Sequence, residues 1–276
     1  MAKTAWLLIW LLICAAAICP DASRASDAQP PSPSPAMAPD TWIVSLTIMG
    51  GVAPSFPGSS KLSAYPFPYI SVRRSGEPEV FSSPDDSYGL TLFEWDCFRA
   101  GPVADFVFKR VEGNGLFGLR RVGLTHEVGG FLEASPTAYL RARAELRQGI
   151  DGHRGLVAAM GMDLHNPVGA FSLSAGPRLS FGDDRYANAY FSVTPFEAAV
   201  NGRLIHYSAT GGFTAAGGVV TMRYDFNEET NATLFGGMQR LLGSVGASPI
   251  PNFVGSRSQF SAGVSITRSF EIRNFR

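Results

Sequence analysis

Between Ala170 and Gly182 apolar and small or polar residues alternate one for one. Phe171, Leu173, Ala175, Pro177, Leu179 and Phe181 share one parity, and Ser172, Ser174, Gly176, Arg178, Ser180 and Gly182 share the other. Successive side chains of an extended strand point to opposite faces, so this period of two predicts a strand with one apolar face. The pattern recurs near the C-terminus, where Phe260, Ala262, Val264, Ile266 and Phe270 alternate with Gln259, Ser261, Gly263, Ser265, Thr267 and Ser269. Only Arg268 breaks that apolar set. Over 138–148, Leu140, Ala142, Ala144 and Leu146 oppose Tyr139, Arg141, Arg143, Glu145 and Arg147, charges that need a wet face.

Carried along the chain, the pattern predicts twelve strands, at 41–53, 65–75, 79–83, 87–95, 97–110, 124–134, 137–149, 156–165, 170–182, 210–226, 230–242 and 257–270. If the first strand runs outward, most short connections fall on one side: 75–78, Asp96, Ser135-Pro136, 165–169 and 227–229. The long ones, 54–64, 111–123, 183–209 and 243–256, fall opposite, with the shorter 84–86 and 151–155 between them. A soluble sandwich has no reason to sort its connections by length, whereas outer-membrane barrels pair short periplasmic turns with longer outer loops. The expectation is an all-β, closed antiparallel transmembrane β-barrel over 41–270, with 271–276 as a C-terminal extension. Pro66 and Pro68 share a parity and remove two ladder donors toward one neighbour, which predicts irregular pairing near the outer rim. Thr194-Pro195-Phe196-Glu197 reads as an N-cap, a first-turn proline and a capping-box glutamate, so a short helix is expected in the longest loop as an external ornament.

The N-terminus carries Lys3 and then an unbroken apolar run from Ala5 to Cys19, followed by Pro20 and Asp21. This is the pattern of a secretory signal peptide, with cleavage expected after Ala25, so 1–25 should be absent from the exported chain. The run is shorter than the roughly 20 residues that a spanning helix needs. Cleavage removes Cys14 and Cys19, so the exported barrel is expected to hold without an internal disulfide. Residues 26–40 contain Pro30, Pro31, Pro33, Pro35 and Pro39 and suit an extended periplasmic tether.

Charged residues make up 17% of the chain, below the usual ~25%. Glycine and phenylalanine are abundant, at 30 and 20 residues, which suits strands, turns and bilayer interfaces. The 23 basic and 23 acidic residues balance, so no nucleic-acid partner is indicated. Strand parity points Arg73, Arg99, Lys109, Arg141, Arg143, Arg147, Arg178 and Arg223 inward, together with Asp105, Glu127, Glu133, Glu145, Asp163 and Asp225. These residues are the candidate lumen lining, either as structural packing of a narrow interior or as a small path preferring anions. A salt ladder between the Glu127/Glu133 strand and the Arg141/Arg143/Arg147 strand is expected. Trp42, Tyr65, Phe171, Phe181, Phe226 and Phe270 fall near strand ends, where an interfacial girdle would lie.

Enzyme signatures are weak. His126, His153, His165 and His206 show no metal-ligand spacing. Gly113-Asn114-Gly115-Leu116-Phe117-Gly118 matches a dinucleotide fingerprint but lacks its strand-to-helix context. Asp85-Asp86 and Asp183-Asp184 read as solvated loop charges. No catalytic residue, metal or cofactor is expected.

Ordered blocks then suggest a family. Ala144-Glu145-Leu146-Arg147-Gln148 precedes Gly152-His153 and Gly155-Leu156-Val157, followed by Leu173-Ser174-Ala175-Gly176-Pro177-Arg178 and by Tyr190-Phe191-Ser192-Val193-Thr194-Pro195. Ser248-Pro249-Ile250 and the stretch 255–263 complete the set. Over 48–270 the chain resembles the MltA-interacting protein (MipA/OmpV) family of outer-membrane proteins. The resemblance implies a barrel that scaffolds a lytic transglycosylase with a penicillin-binding protein, although some members are regarded as porin-like or adhesive. It implies outer-membrane lipid and the barrel-assembly machinery as partners, with Phe270 as the C-terminal assembly signal, and it supplies no ligand-binding residues.

Overall fold

The computed structural model describes residues 41–77, 79–110, 113 and 115–273. The expected leader, tether and residues 274–276 lie outside the described residues. Ten long strands and two short ones form one antiparallel sheet: β1 (Thr41–Pro54), β2 (Leu62–Arg74), β3 (Tyr88–Gly89), β4 (Phe93–Trp95), β5 (Phe98–Val107), β6 (Thr125–Thr137), β7 (Leu140–Asp151), β8 (Leu156–Val168), β9 (Phe171–Gly182), β10 (Gly212–Asn227), β11 (Thr230–Leu241) and β12 (Ser258–Arg273). β12 continues three residues past Phe270 and pairs Glu271 with Ile43 on β1.

The strand count differs from the expected even one. β3 and β4 both pair with β5 as pieces of one interrupted strand, so eleven positions run side by side from β2, through β1 and β12, round to β5 and β3. Every neighbour being antiparallel, an odd number leaves the two ends, β2 and β3, running the same way. A connection between parallel strands must travel back along their length, and here it does so inside the barrel. Residues 79–87 therefore form no strand, against the expectation for 79–83. Ser83 and Ser87 are buried, and Phe81 stacks on His165 of β8 at 4.8 Å.

The two ends of the sheet meet through side chains. Tyr88 stacks on Phe67 at 4.2 Å and on Tyr69 at 5.8 Å, and its hydroxyl donates to the Pro68 carbonyl at 3.1 Å. The prolines explain this seam. Ladder bonds from Ser55 N to Lys61 O and from Ser75 N to Thr41 O set the odd-numbered residues of β2 toward β1. Pro66 and Pro68 therefore turn their missing donors away from β1, where an edge strand tolerates them.

The outer wall is apolar. Ile48, Ile70, Leu164, Val220 and Ile266 are exposed, Ile48 by 73%, as expected where lipid replaces water. No described helix is long and apolar enough to cross a membrane. Inward positions carry hydroxyl rungs between strands: Ser45 to Ser269 at 2.8 Å, Thr47 to Thr267 at 2.8 Å and Ser174 to Thr221 at 2.6 Å. Phe171, Phe226 and Phe270 face outward near the ends of their strands, whereas Tyr65 points inward against Gly51 and leaves the expected girdle. The outward Arg268 pairs with Glu229 at 2.7 Å. Cys97 is disulfide-bonded; the staple-free expectation concerns the chain after cleavage.

The long connections gather at one end. Between β9 and β10 lie α1 (Asp184–Phe191) and α2 (Pro195–Asn201), and between β11 and β12 lie α3 (Gly243–Ala247) and a π-helical turn (Ile250–Val254). Tyr190, Phe191 and Val245 are fully buried with Val122, Ala187, Ala209 and Leu241, and Ile250 with Leu116, Leu119, Val193 and Leu204, so these loops form a packed cap. Thr194 caps α2 in a full capping box with Glu197, the one buried residue of this helix, which lies on the outside of the cap as expected. Burial opposes the Glu197 charge, yet the N–H groups of Arg120 and Thr194 hold its carboxyl below the usual glutamate range. That contribution is complete above the ordinary value of 4.5 and is lost as pH falls through the lower folded value. Thr194→Ala should cost about 1 kcal/mol of local stability, read as faster hydrogen exchange over 194–202; unchanged protection would show that tertiary packing alone holds α2.

Candidate functional site

The interior is organised by one ion-pair network on β5 to β9. Glu133 on β6 accepts from Arg99, from Arg141 at 2.9 Å and from Arg143 at 3.2 Å. Glu145 bridges Arg143, at 2.8 Å, to Arg147, which continues to Glu127 at 2.8 Å and Asp105 at 3.6 Å. Asp163 joins Arg141 at 3.0 Å to Arg178 at 2.8 Å. Cross-strand register produces these rungs: Glu133 lies opposite Arg143, and Arg141 opposite Asp163. Arg143 also stacks over Phe131, 4.0 Å from the ring centroid, which adds a cation–π contact.

The internal segment completes the network. Asp85 accepts a two-pronged contact from Arg178, at 2.7 and 3.0 Å, and Ser83 binds the same guanidinium. Asp86 accepts from Arg141 at 2.5 Å, and the Ser87 hydroxyl donates to Glu145 at 2.6 Å. Glu79 forms a separate cluster with Arg223 and Asp225. Asp85 and Asp86 thus pair with Arg178 and Arg141 of the wall, Asp86 half-buried and Asp85 exposed, instead of standing as the unpaired loop charges that Pro84-Asp85-Asp86 suggested. A turn-like triplet between strands has no periodicity to betray an inward path.

Of the other inward candidates, Arg73 stays near the turn end and donates to the Glu77 carbonyl at 2.5 Å. Lys109 lies beyond the end of β5 and is exposed. Its neighbour Arg110 is buried instead, donating to the carbonyls of Tyr190 at 2.5 Å and Arg120 at 2.9 Å. Burial and nearby Arg120 push the Arg110 guanidinium down to about 10, still charged at neutral pH.

His153, unremarkable in sequence, couples network and cap. Its Nδ1 accepts from the Gly155 N–H at 3.0 Å, so Nε2 carries the proton and donates to Glu127 at 2.9 Å. The ring packs against Tyr186 and Tyr190 of α1. A Cβ on Gly149 would come 2.4 Å from that ring, so glycine there is what admits it.

The charge balance of the lumen follows. Six paired arginines (Arg99, Arg141, Arg143, Arg147, Arg178 and Arg223) face Asp105, Glu127, Glu133, Glu145, Asp163 and Asp225 on the wall, plus Glu79, Asp85 and Asp86 from the segment. The cation excess anticipated from strand parity is reversed.

Comparison with solved structures returns outer-membrane barrels. The N-terminal β-barrel domain of Pseudomonas aeruginosa OprF is 9% identical, with 83% of this chain and 97% of that one covered and a TM-score of 0.29. The COG4313 outer membrane channel from Pseudomonas putida F1 is 11% identical, with 88% and 100% covered and a TM-score of 0.36. For the outer membrane protein OprG from Pseudomonas aeruginosa the values are 8%, 84% and 97%, and 0.23. At such scores the likeness adds nothing to the strand pairing described above. No curated protein sequence matches. The family described as MltA-interacting protein MipA matches residues 46–270, most of the chain; the chain belongs to that family and is an outer-membrane β-barrel.

Proposed function

We propose that the protein is a non-enzymatic scaffold for peptidoglycan-remodelling enzymes, a murein hydrolase together with a penicillin-binding protein, held at a fixed position in the outer membrane. The observation that carries this reading is the interior segment: residues 79–87 run inside the barrel and are tied to β7, β9 and β10 by ion pairs and hydrogen bonds. A segment anchored across the path favours the two ends as working surfaces. The family description names an interaction with MltA, which supports a murein-related partner. In this reading a signal peptide over 1–25 is cleaved, 26–40 serves as the tether, and the short-turn end faces the periplasm. The surplus of interior acids speaks against an anion-preferring pore.

The test is co-purification of murein enzymes with the tagged full chain, compared with a variant lacking residues 29–39 and carrying Gly/Ser replacements in the short turns. Loss of those enzymes from an otherwise heat-modifiable barrel is the expected result. Unchanged recovery would overturn the proposed contact surface.

A further inference from the structure

The two ends of the barrel differ in charge. At the loop end Lys61, Lys109, Arg120, Arg154, Arg185, Arg203 and Arg240 are exposed, against exposed Asp151 and Asp184. At the turn end the exposed charges are mostly acidic, among them Glu77, Glu79, Glu94, Asp96, Glu228 and Glu229.

One stretch of the basic rim is more specific than the rest. Gly155 lies directly against the start of α1, where an added Cβ would sit 2.4 Å from both Asp183 Oδ1 and Tyr186 N. That contact brings Arg154 and Arg185, each adjacent in sequence to a contacting residue, to the same part of the rim above β6, β7 and β8, together with the exposed Asp151 and Asp184, the latter held by the Gly211 N–H at 2.7 Å. Arg154 has φ 50°, a left-handed conformation that a side chain adopts only under constraint. A glycine or asparagine would fit the turn at lower cost. Gln148 braces the turn by donating to the carbonyls of Arg154 and Gly155. Immediately below, on the lipid-facing wall, Leu124, Val128, Leu146 and Ile150 are exposed. Cations above an apolar wall match an amphiphile with anionic headgroup and acyl chains, because guanidinium forks bind phosphate oxygens in pairs. A free anion would make no use of the wall.

We propose that this rim is a binding site for a phosphorylated glycolipid of the outer leaflet, with Arg154 and Arg185 on its phosphate and the acyl chains along Val128, Leu146 and Ile150. The proposal rests on the orientation in the scaffold reading, with the short-turn end in the periplasm, and on nothing else in it.

The experiment uses the full chain refolded in zwitterionic detergent and titrated with lipid A, with lipid retention read by native mass spectrometry. Wild type should hold phosphorylated lipid A at least about tenfold better than the dephosphorylated form, and millimolar inorganic phosphate should not displace it. Arg154→Ser/Arg185→Ser should lower retention about tenfold, while Lys61→Ser/Arg240→Ser, elsewhere on the rim, should not. Equal retention by wild type and the Arg154/Arg185 variant would overturn the site. So would indifference to dephosphorylation, or displacement by phosphate. If the double variant loses its heat-modifiable form, the wild-type comparison between the two lipids decides.

Discussion

Arg141→Met should destabilise the barrel by about 3–5 kcal/mol, the cost of removing one partner from a buried ion pair. Arg141 is 4% exposed and serves three carboxylates, Asp86, Glu133 and Asp163. Two of them keep other cations: Glu133 retains Arg99 and Arg143, and Asp163 retains Arg178. Asp86 keeps Arg143, at 3.9 Å, and the Ser83 N–H, at 2.8 Å, so it is left half-buried without a close cation. Arg141→Lys preserves charge but loses the fork that spans Asp163 and Asp86, and should fall between wild type and the methionine variant. Equilibrium urea unfolding in lipid vesicles measures both. A methionine variant within about 0.5 kcal/mol of wild type, the range of an ordinary surface change, would mean that the network contributes nothing net to stability.

Neutralising the internal segment should have the largest effect on permeability. In Glu79→Gln/Asp85→Asn/Asp86→Asn each ion pair becomes a bond from a charged guanidinium to a neutral amide oxygen, a loss on the order of 1 kcal/mol per site. Three such losses should shift the balance between seated and displaced segment by roughly two orders of magnitude, at ~1.4 kcal/mol per tenfold. The wall itself should survive, because Arg178 keeps Asp163, Arg141 keeps Glu133 and Asp163, and Arg223 keeps Asp225. Planar-bilayer recordings should show rare steps for wild type and frequent ones for the triple variant. Equal conductance in two well-folded proteins would show that the segment does not block the path.

The sequence carried the regular wall and missed what departs from it. From Thr125 to Val168, and again from Ser258 to Phe270, one apolar parity against lipid makes a one-residue slip costly, so the strands could be placed from alternation alone. Phe171 and Phe181 could be assigned outward for the same reason. Tyr65 could not, because aromatic residues suit either an interface or an interior. Pro66 and Pro68 announced an irregularity, but their meaning as a seam depends on which residues of β2 bond to β1. The inward path of 79–87 follows from an odd number of sheet positions, a global property that no local window contains. The Asp85 to Arg178 and Asp86 to Arg141 pairs join residues 93 and 55 positions apart. His153 was equally hidden: its role depends on Gly149 leaving room for the ring, a packing fact that spacing does not carry.

A barrel seated in the outer membrane should show itself in the electrophoretic mobility of boiled and unboiled protein from isolated outer membranes. The protein should be recovered in that fraction and migrate faster unboiled, as a compact barrel that detergent alone does not unfold. Recovery in the soluble periplasm with identical mobility before and after boiling would contradict it.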